Sequence, residues 1–300
     1  MKSQYPMTTH NHITSVLNIF KGRTGKWLML FLLLLPALAT AQETKKLIIL
    51  QTSDVHSRIE PMTQEGDRNY GQGGFVRRAS FLQQFRKENP DVLLFDCGDI
   101  SQGTPYYNMF KGEVEIKLMN EMGYDAGTIG NHEFDFGLDN MARLFKMANY
   151  PIVCANYDVT GTVLEGLVKE YTIIQRNGIK IGVFGLGAQL EGLVASECYG
   201  NVKFEDPVSE AQRVTDLLKN QEHCDLVICL SHLGWEGEPY SDIELIENTR
   251  DIDVVLGGHS HSYFDAPKYY KNLDGIEVPV QQMGKNGAFV GQMILKLQKN

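Results

Sequence analysis

Leu47-Ile48-Ile49-Leu50-Gln51-Thr52-Ser53-Asp54-Val55-His56 decides how this chain is read. A short apolar run stops abruptly, and a carboxylate and an imidazole follow at once. Apolar runs of this length, bounded by turn residues, read as buried strands. Polar groups just past such a strand sit where loops converge at the carboxyl edge of an α/β sheet.

The same junction recurs along the chain. Residues 92–95 run into Asp96 and Cys97-Gly98-Asp99, and residues 126–129 into Gly130-Asn131-His132-Glu133. Residues 226–230 run into Ser231-His232-Leu233-Gly234, and residues 254–256 into Gly257-Gly258-His259-Ser260-His261. Of the six histidines beyond residue 41, five lie in these strings and only His223 lies outside them. Taken singly the signals are weak, because an Asp after a strand is commonly a turn or helix cap. Taken together they read as a two-metal hydrolytic centre. Gly98, Gly130, Gly257 and Gly258 allow close backbone approach where a Cβ would obstruct it.

Between these strands, and a further one at 152–154, lie helical stretches at 75–87, 114–122, 141–148, 208–218 and 243–249. In the first, Phe75, Val76, Ala79, Phe81, Leu82 and Phe85 approximate a helical period against Arg77, Arg78, Gln84 and Arg86. Met119, Met122, Met141 and Met147 fall at helical spacing and are expected in the core. This alternation implies α/β architecture. Two hairpins are also expected: 171–175 with 180–184 across Asn177-Gly178, and 278–282 with 289–297 across Lys285-Asn286-Gly287. Hairpins joined to an alternating core predict two mixed sheets face to face with helices outside, in one domain spanning 42–300.

Residues 1–41 stand apart. Lys21, Arg23 and Lys26 precede an apolar run at 27–38, and Ala39-Thr40-Ala41 offers a small-residue cleavage site before Gln42. That is the order of a secretory signal peptide, and the apolar run is short of a membrane span. An uncleaved anchor is the alternative, and the expected location is periplasmic or secreted. The whole chain carries −9, and the leader holds Lys2, Lys21, Arg23 and Lys26 with no acid, so the exported form is near −13. Such a surface disfavours nucleic-acid polymers, whose binding needs basic patches. An anionic phosphate substrate would be drawn locally, by bound cations. The cysteines, Cys97, Cys154, Cys198, Cys224 and Cys229, are odd in number and lack framework spacing. Cys97, Cys154 and Cys229 lie in apolar runs and read as buried hydrophobes; the redox state of Cys198 and Cys224 stays open.

The ordered strings Asp54-Val55-His56, Gly98-Asp99, Gly130-Asn131-His132-Glu133, His232 and Gly258-His259-Ser260-His261 resemble the calcineurin-like metallophosphoesterase superfamily, and within it the 5'-nucleotidase family. The family's second signature is present in full at 124–135. Its first is met with one departure, Gln51 where His, Glu or Ala is usual. Gln51 is not a ligand position, so only an indirect effect is expected.

The resemblance implies a four-layer αββα fold. It also implies that Asp54, His56 and His261 hold one metal, that Asn131, His232 and His259 hold a second, and that Asp99 bridges the two. This oxygen and nitrogen set without thiolate suits two divalent ions, Zn²⁺ or Mn²⁺ foremost. His132, next to ligand Asn131, is expected to face the substrate as the catalytic imidazole, with Asp135 orienting and charging it; N-capping of the next helix is the other role open to Asp135. Glu133 and Asp96 are read as structural, Ser101, Gln102 and Thr104 as candidate lining, and Trp235 as either pocket wall or packing.

The activity implied is exported hydrolysis of nucleoside 5'-monophosphates by metal-bound hydroxide. Alternatives are a 2',3'-cyclic-nucleotide phosphodiesterase, a nucleotide-sugar diphosphatase, a sulfur-ester hydrolase, and a non-catalytic subunit that captures metal or nucleotide. Two-domain members grip the nucleoside with a C-terminal domain, and residue 300 falls just after the expected last strand. Base recognition is then assigned to a separately encoded nucleotide-binding domain, to self-association, or to nothing, and the sequence leaves these open.

Overall fold

The computed structural model describes residues 14–16, 44–63, 65–66, 68–237 and 240–298. Of the expected leader, only β1 (Thr14–Val16) lies among them. The chain continues through β2 (Thr44–Thr52), α1 (Phe75–Glu88), β3 (Leu93–Asp96), α2 (Pro105–Phe110), α3 (Glu113–Met122) and β4 (Ala126–Gly127). A 3₁₀ turn (His132–Phe134), α4 (Gly137–Phe145), β5 (Ile152–Val153), β6 (Tyr157–Asp158) and β7 (Val168–Lys169) follow. Next come β8 (Tyr171–Arg176), β9 (Ile179–Leu186), α5 (Ser196–Tyr199), β10 (Lys203–Phe204) and α6 (Pro207–Asn220). The last elements are β11 (Leu226–Ser231), α7 (Asp242–Glu247), β12 (Val254–Gly257), β13 (Lys268–Lys271), β14 (Glu277–Gln282) and β15 (Gly291–Gln298).

Two mixed sheets result, ordered β1-β15-β2-β3-β4-β5-β7 and β13-β14-β12-β11-β9-β8. Strand periodicity explains why they stack. Leu47, Ile49, Leu93 and Phe95 turn one way to meet Ile181, Ile228, Leu230 and Leu256 of the other sheet in a shared core. Their neighbours Ile48, Leu50 and Leu94 turn outward onto Leu82, Ile116, Met119 and Met141 of the helices. On the far side Val227, Cys229 and Val255 pack against Ala211, Val214, Leu218 and Leu245 of α6 and α7. Central strands therefore need apolar residues on both faces, which is why they read as unbroken apolar runs. The layers are helix, sheet, sheet, helix, as expected.

The structure corrects three readings. Strands β8 and β9 pair antiparallel across Asn177-Gly178 as expected, but β14 and β15 form no hairpin. β14 lies between β12 and β13, whereas β15 crosses to the facing sheet and pairs antiparallel with β2. Met293 and Leu295 thereby reach the core between the sheets. On α1, Val76 is exposed and Arg78 is buried. The Arg78 guanidinium lies over the Phe75 ring at 4.7 Å and donates to the Gly287 carbonyl, so it supports the loop that replaces the expected hairpin turn. All five cysteines are free thiols.

Candidate metal centre

Strands β2, β3 and β4 run parallel in one sheet and β11 and β12 run parallel in the other. Their carboxyl ends are drawn together across the sandwich. Gln51 Nε2 donates to the Gly257 carbonyl at 2.9 Å, and His232 Nδ1 to the Cys97 carbonyl at 2.6 Å. The loops after β2 and β3 are zipped by backbone bonds from Asp54, His56 and Ser57 to the carbonyls of Gly98, Asp99 and Ile100.

This convergence forms two groups. Asp54, His56 and His261 direct one ligand atom each into a shared space, all within 4.8 Å of one another, and Asp99, His232 and His259 do the same. The groups adjoin, because the His259 amide donates to Asp54 Oδ1 at 2.9 Å. Asn131, at the end of the β4 loop, is buried, and its Oδ1 has no hydrogen-bond partner. Asp54 Oδ2 is likewise buried without one. Orphaned buried acceptors are costly, and each is an atom that a cation would satisfy. His56 Nε2 and His261 Nε2 face each other at 2.9 Å, close enough to share a proton or a cation. The residues present therefore fit two divalent ions.

Backbone and second contacts fix the ligands. Asp54, His56, Asp99, His259 and His261 all have φ between 48° and 70°, a region in which Asp and His are enriched but that still carries strain. Donation by His232 Nδ1 to Cys97 and by His56 Nδ1 to the Ser101 carbonyl would leave each Nε2 as the nitrogen available to a metal. Glu133 accepts from the Asp99 amide at 2.9 Å, the Gly130 amide at 2.6 Å and the Ser101 amide at 3.2 Å. It staples the two loops and is unavailable for chemistry. Asp96 is equally structural, holding the Thr52 hydroxyl and the Gly98 amide. Behind the second sheet's loops, Asp242 accepts from Ser231 and Gln282, and Gln282 accepts from Ser260.

The electrostatics suit ligation. Burial lowers His259 and His261, each to about 4, so both are neutral at pH 7, the form that binds a cation. Burial also disfavours a charged His232, but Asp99, 3.1 Å from its Nε2, overrides this and lifts it to about 10. Burial pushes Asp99 upward too, and the adjacent His232 imidazolium wins, holding Asp99 well below the usual carboxylate range. A cation held here would take the place of that proton.

His132 sits at the mouth, its ring 5.5 Å from that of His56. Its Nδ1 contacts Asp135 at 3.1 Å, and its amide donates to Asp99 Oδ1 at 2.9 Å. Phe136 occupies the N-cap of α4, and no side chain caps that helix, so the Asp135 carboxylate is directed at the ring instead. Of the candidate lining residues, Ser101 is buried and Thr104 is tied to the Ser57 carbonyl. Trp235 packs on Phe264 and beneath Lys268.

The loop glycines are sterically required. A Cβ on Gly98 would lie 2.7 Å from the Gly130 amide nitrogen and 2.8 Å from His232 Nδ1. A Cβ on Gly130 would overlap Asp99 Oδ1 and its amide. Gly130→Ala is expected to destabilise the fold by about 1–3 kcal/mol and to weaken metal binding by displacing Asp99. Urea denaturation and metal analysis test this; an unchanged midpoint would count against it.

The profile of the Calcineurin-like phosphoesterase family matches residues 47–263, a span that includes all nine site residues discussed above. The chain belongs to that family. Among curated phosphoesterases it is 34% identical over 277 residues to a snake venom 5'-nucleotidase of Gloydius brevicauda, covering 86% of this chain and 46% of that protein. Its fold is similar to that of a 5'-nucleotidase precursor from Thermus thermophilus, with TM-score 0.76, 27% identity, and coverage of 85% and 54% of the two chains. A Haemophilus influenzae NAD nucleotidase gives TM-score 0.75 and 30% identity, with coverage of 85% and 53%. The chain spans about half the length of these relatives. Among the described residues no helix is long and apolar enough to cross a membrane.

Proposed function

We propose that this chain is an exported phosphomonoesterase that uses two divalent metal ions to hydrolyse nucleoside 5'-monophosphates to nucleoside and phosphate. The observation that carries this reading is the pair of adjoining ligand groups with His132 and Asp135 at their mouth. Asp54, His56 and His261 would hold one ion, Asn131, His232 and His259 the other, and Asp99 would serve both. When bound, two such ions supply Lewis-acid activation of water and of the phosphoryl group. Zn²⁺ and Mn²⁺ suit the ligand set best.

The protein's own contribution is then placement and proton transfer. His132 Nδ1 is held by Asp135, leaving Nε2 free to stabilise a phosphoryl oxygen or to protonate the departing alkoxide. No serine or cysteine nucleophile is assigned, so no phosphoenzyme is expected. The residues 1–41 leader supports export, and the likeness to nucleotidases supports a nucleotide substrate.

Purified protein is expected to release phosphate from AMP faster than from cyclic AMP, UDP-glucose or p-nitrophenyl phosphate. A chelator should abolish release, and added Zn²⁺ or Mn²⁺ should restore it. Rates that are equal across the panel, or unaffected by chelation, would overturn the reading.

A further inference from the structure

The string Lys285-Asn286-Gly287 turns no hairpin; it is laced to the rim of the first ligand group. The Gly284 amide donates to the Ser262 carbonyl at 2.8 Å, one residue past His261, and the Asn286 amide donates to the Asp54 carbonyl at 2.7 Å. Lys285 therefore stands between two backbone bonds, each made to a segment that carries a candidate ligand. Tyr263 bridges to Met283 on the same side, and its ring lies against Phe289 at 4.4 Å. From behind, the buried Arg78 donates to the Gly287 carbonyl. The loop is thus a firm base, held on both flanks and from below.

On that base Lys285 is exposed. Among the described residues, no ion pair or hydrogen bond engages its ammonium. His261, across the Ser262 bond, is the one exposed member of the two ligand groups, so the first group meets solvent beside this lysine. The two are close enough for charge to act between them: after burial and the His56 ring, Lys285 is the next cause that lowers the His261 pKa. A chain of net charge −9 repels anions at long range, and capture of a phosphate needs local attraction. An unpaired ammonium at the open side of the centre supplies it.

We propose that Lys285 is a further substrate-binding residue, whose ammonium donates to a non-bridging phosphoryl oxygen from the His261 side of the centre. A lysine is a compact point charge on a flexible four-carbon stem, suited to an oxyanion whose other oxygens are fixed elsewhere. The phosphate would be met by His132 beside His56 and by Lys285 beside His261. Capture and retention of the anion are the lysine's part, so its loss falls on affinity and KM more than on kcat. The seating of phosphate at two ions rests on the function proposed above; the place of Lys285 beside His261 does not.

The test is titration of inorganic phosphate into the metal-replete full chain, followed by calorimetry at several salt concentrations. In about 0.01 M salt, Lys285→Ala should weaken phosphate by about threefold to tenfold, the range of one charge-assisted contact partly open to water, with metal content unchanged. The screening length falls from about 30 Å at 0.01 M to about 3 Å at 1 M, so the gap to wild type should narrow as salt rises. Lys285→Arg should keep most of the affinity, and Lys285→Glu should lose more than Lys285→Ala. Lys271→Ala controls for net charge, because Lys271 pairs with Glu277 at the start of β14, away from the edge that bears the ligands. Equal affinity in wild type and Lys285→Ala at low salt, an equal loss in Lys271→Ala, a gap indifferent to salt, or no phosphate binding in the wild type overturns the inference. Loss of metal from Lys285→Ala would mark the residue as scaffold and overturn it too. Phosphate binding that depends on Lys285 in a protein inert toward AMP would uphold this inference and overturn the proposed function; AMP hydrolysis with phosphate affinity insensitive to Lys285→Ala would do the reverse.

Discussion

Asp99→Ala is expected to lower AMP turnover by about 10³-fold, the rate equivalent of the several kcal/mol that Lewis-acid stabilisation supplies, and to reduce bound metal. Asp99 is buried in the group with His232 and His259, 3.1 Å from His232 Nε2. Its other oxygen accepts from the His132 amide, so alanine removes a proposed ligand and also loosens the loop that presents the His132 ring. Asp96→Asn provides the contrast. Asp96 is equally buried, yet its oxygens hold Thr52 and Gly98, so its loss should lower the unfolding midpoint while metal per folded chain is retained. Metal analysis with phosphate-release kinetics on both variants checks the pair. Wild-type metal content and rate in Asp99→Ala would remove the central assumption of the site.

Several junctions were legible because a polar pair at the end of an apolar run has few structural explanations. The runs into Asp54, Asp99, Asn131, His232 and His259 lie on five different strands, and parallel pairing brings their ends to one edge. Layering was legible too, since runs apolar on both faces require cover on both faces. What escaped the sequence was partner choice. Asn286 and Gly287 have φ of 61° and 57°, as a hairpin turn would require, but the same backbone serves a chain crossing to the facing sheet. Turn residues specify a conformation and leave the next strand's partner unspecified. Arg78 escaped for a related reason: a guanidinium lying flat on Phe75 occupies a core position that periodicity assigns to the polar face. The short α2 carries no periodic stripe, though Pro105 at its start is a signal that could have located it.

The contacts that orient the candidate ligands were the least legible part. His232 and His56 are aligned by the carbonyls of Cys97 and Ser101, and every residue carries a carbonyl, so no sequence pattern marks these two. Gln51 illustrates the same limit. An expectation of minor influence came from its not being a ligand; the structure shows its amide donating to Gly257 and, more weakly, to Gln281, both in the opposite sheet. The side chain thus helps hold the two ligand-bearing edges together.

His132→Ala should lower kcat by about 10²–10⁴-fold, the usual contribution of one positioned acid or base, while metal content stays at the wild-type level. The geometry separates these two readouts. His132 lies at the mouth, bound through Nδ1 to Asp135, and its side chain belongs to neither ligand group. Hydrogen bonding to Asp135 is the leading cause that raises the His132 pKa above its ordinary value, with burial opposing it. A raised pKa keeps the imidazolium populated to higher pH, and an acid that must donate a proton loses activity as pH rises through that pKa. Asp135→Asn removes the charge and shifts the ring's pKa downward, so the alkaline limb of the kcat profile should move to lower pH, with a smaller loss at its optimum than His132→Ala shows. Substrates with better leaving groups need less protonation, so p-nitrophenyl phosphate should be less sensitive to His132→Ala than AMP. An Asp135→Asn profile superimposable on the wild type would dismiss Asp135 as the partner that tunes the ring, and equal sensitivity of both substrates would move His132 from leaving-group acid to phosphoryl-oxygen binder.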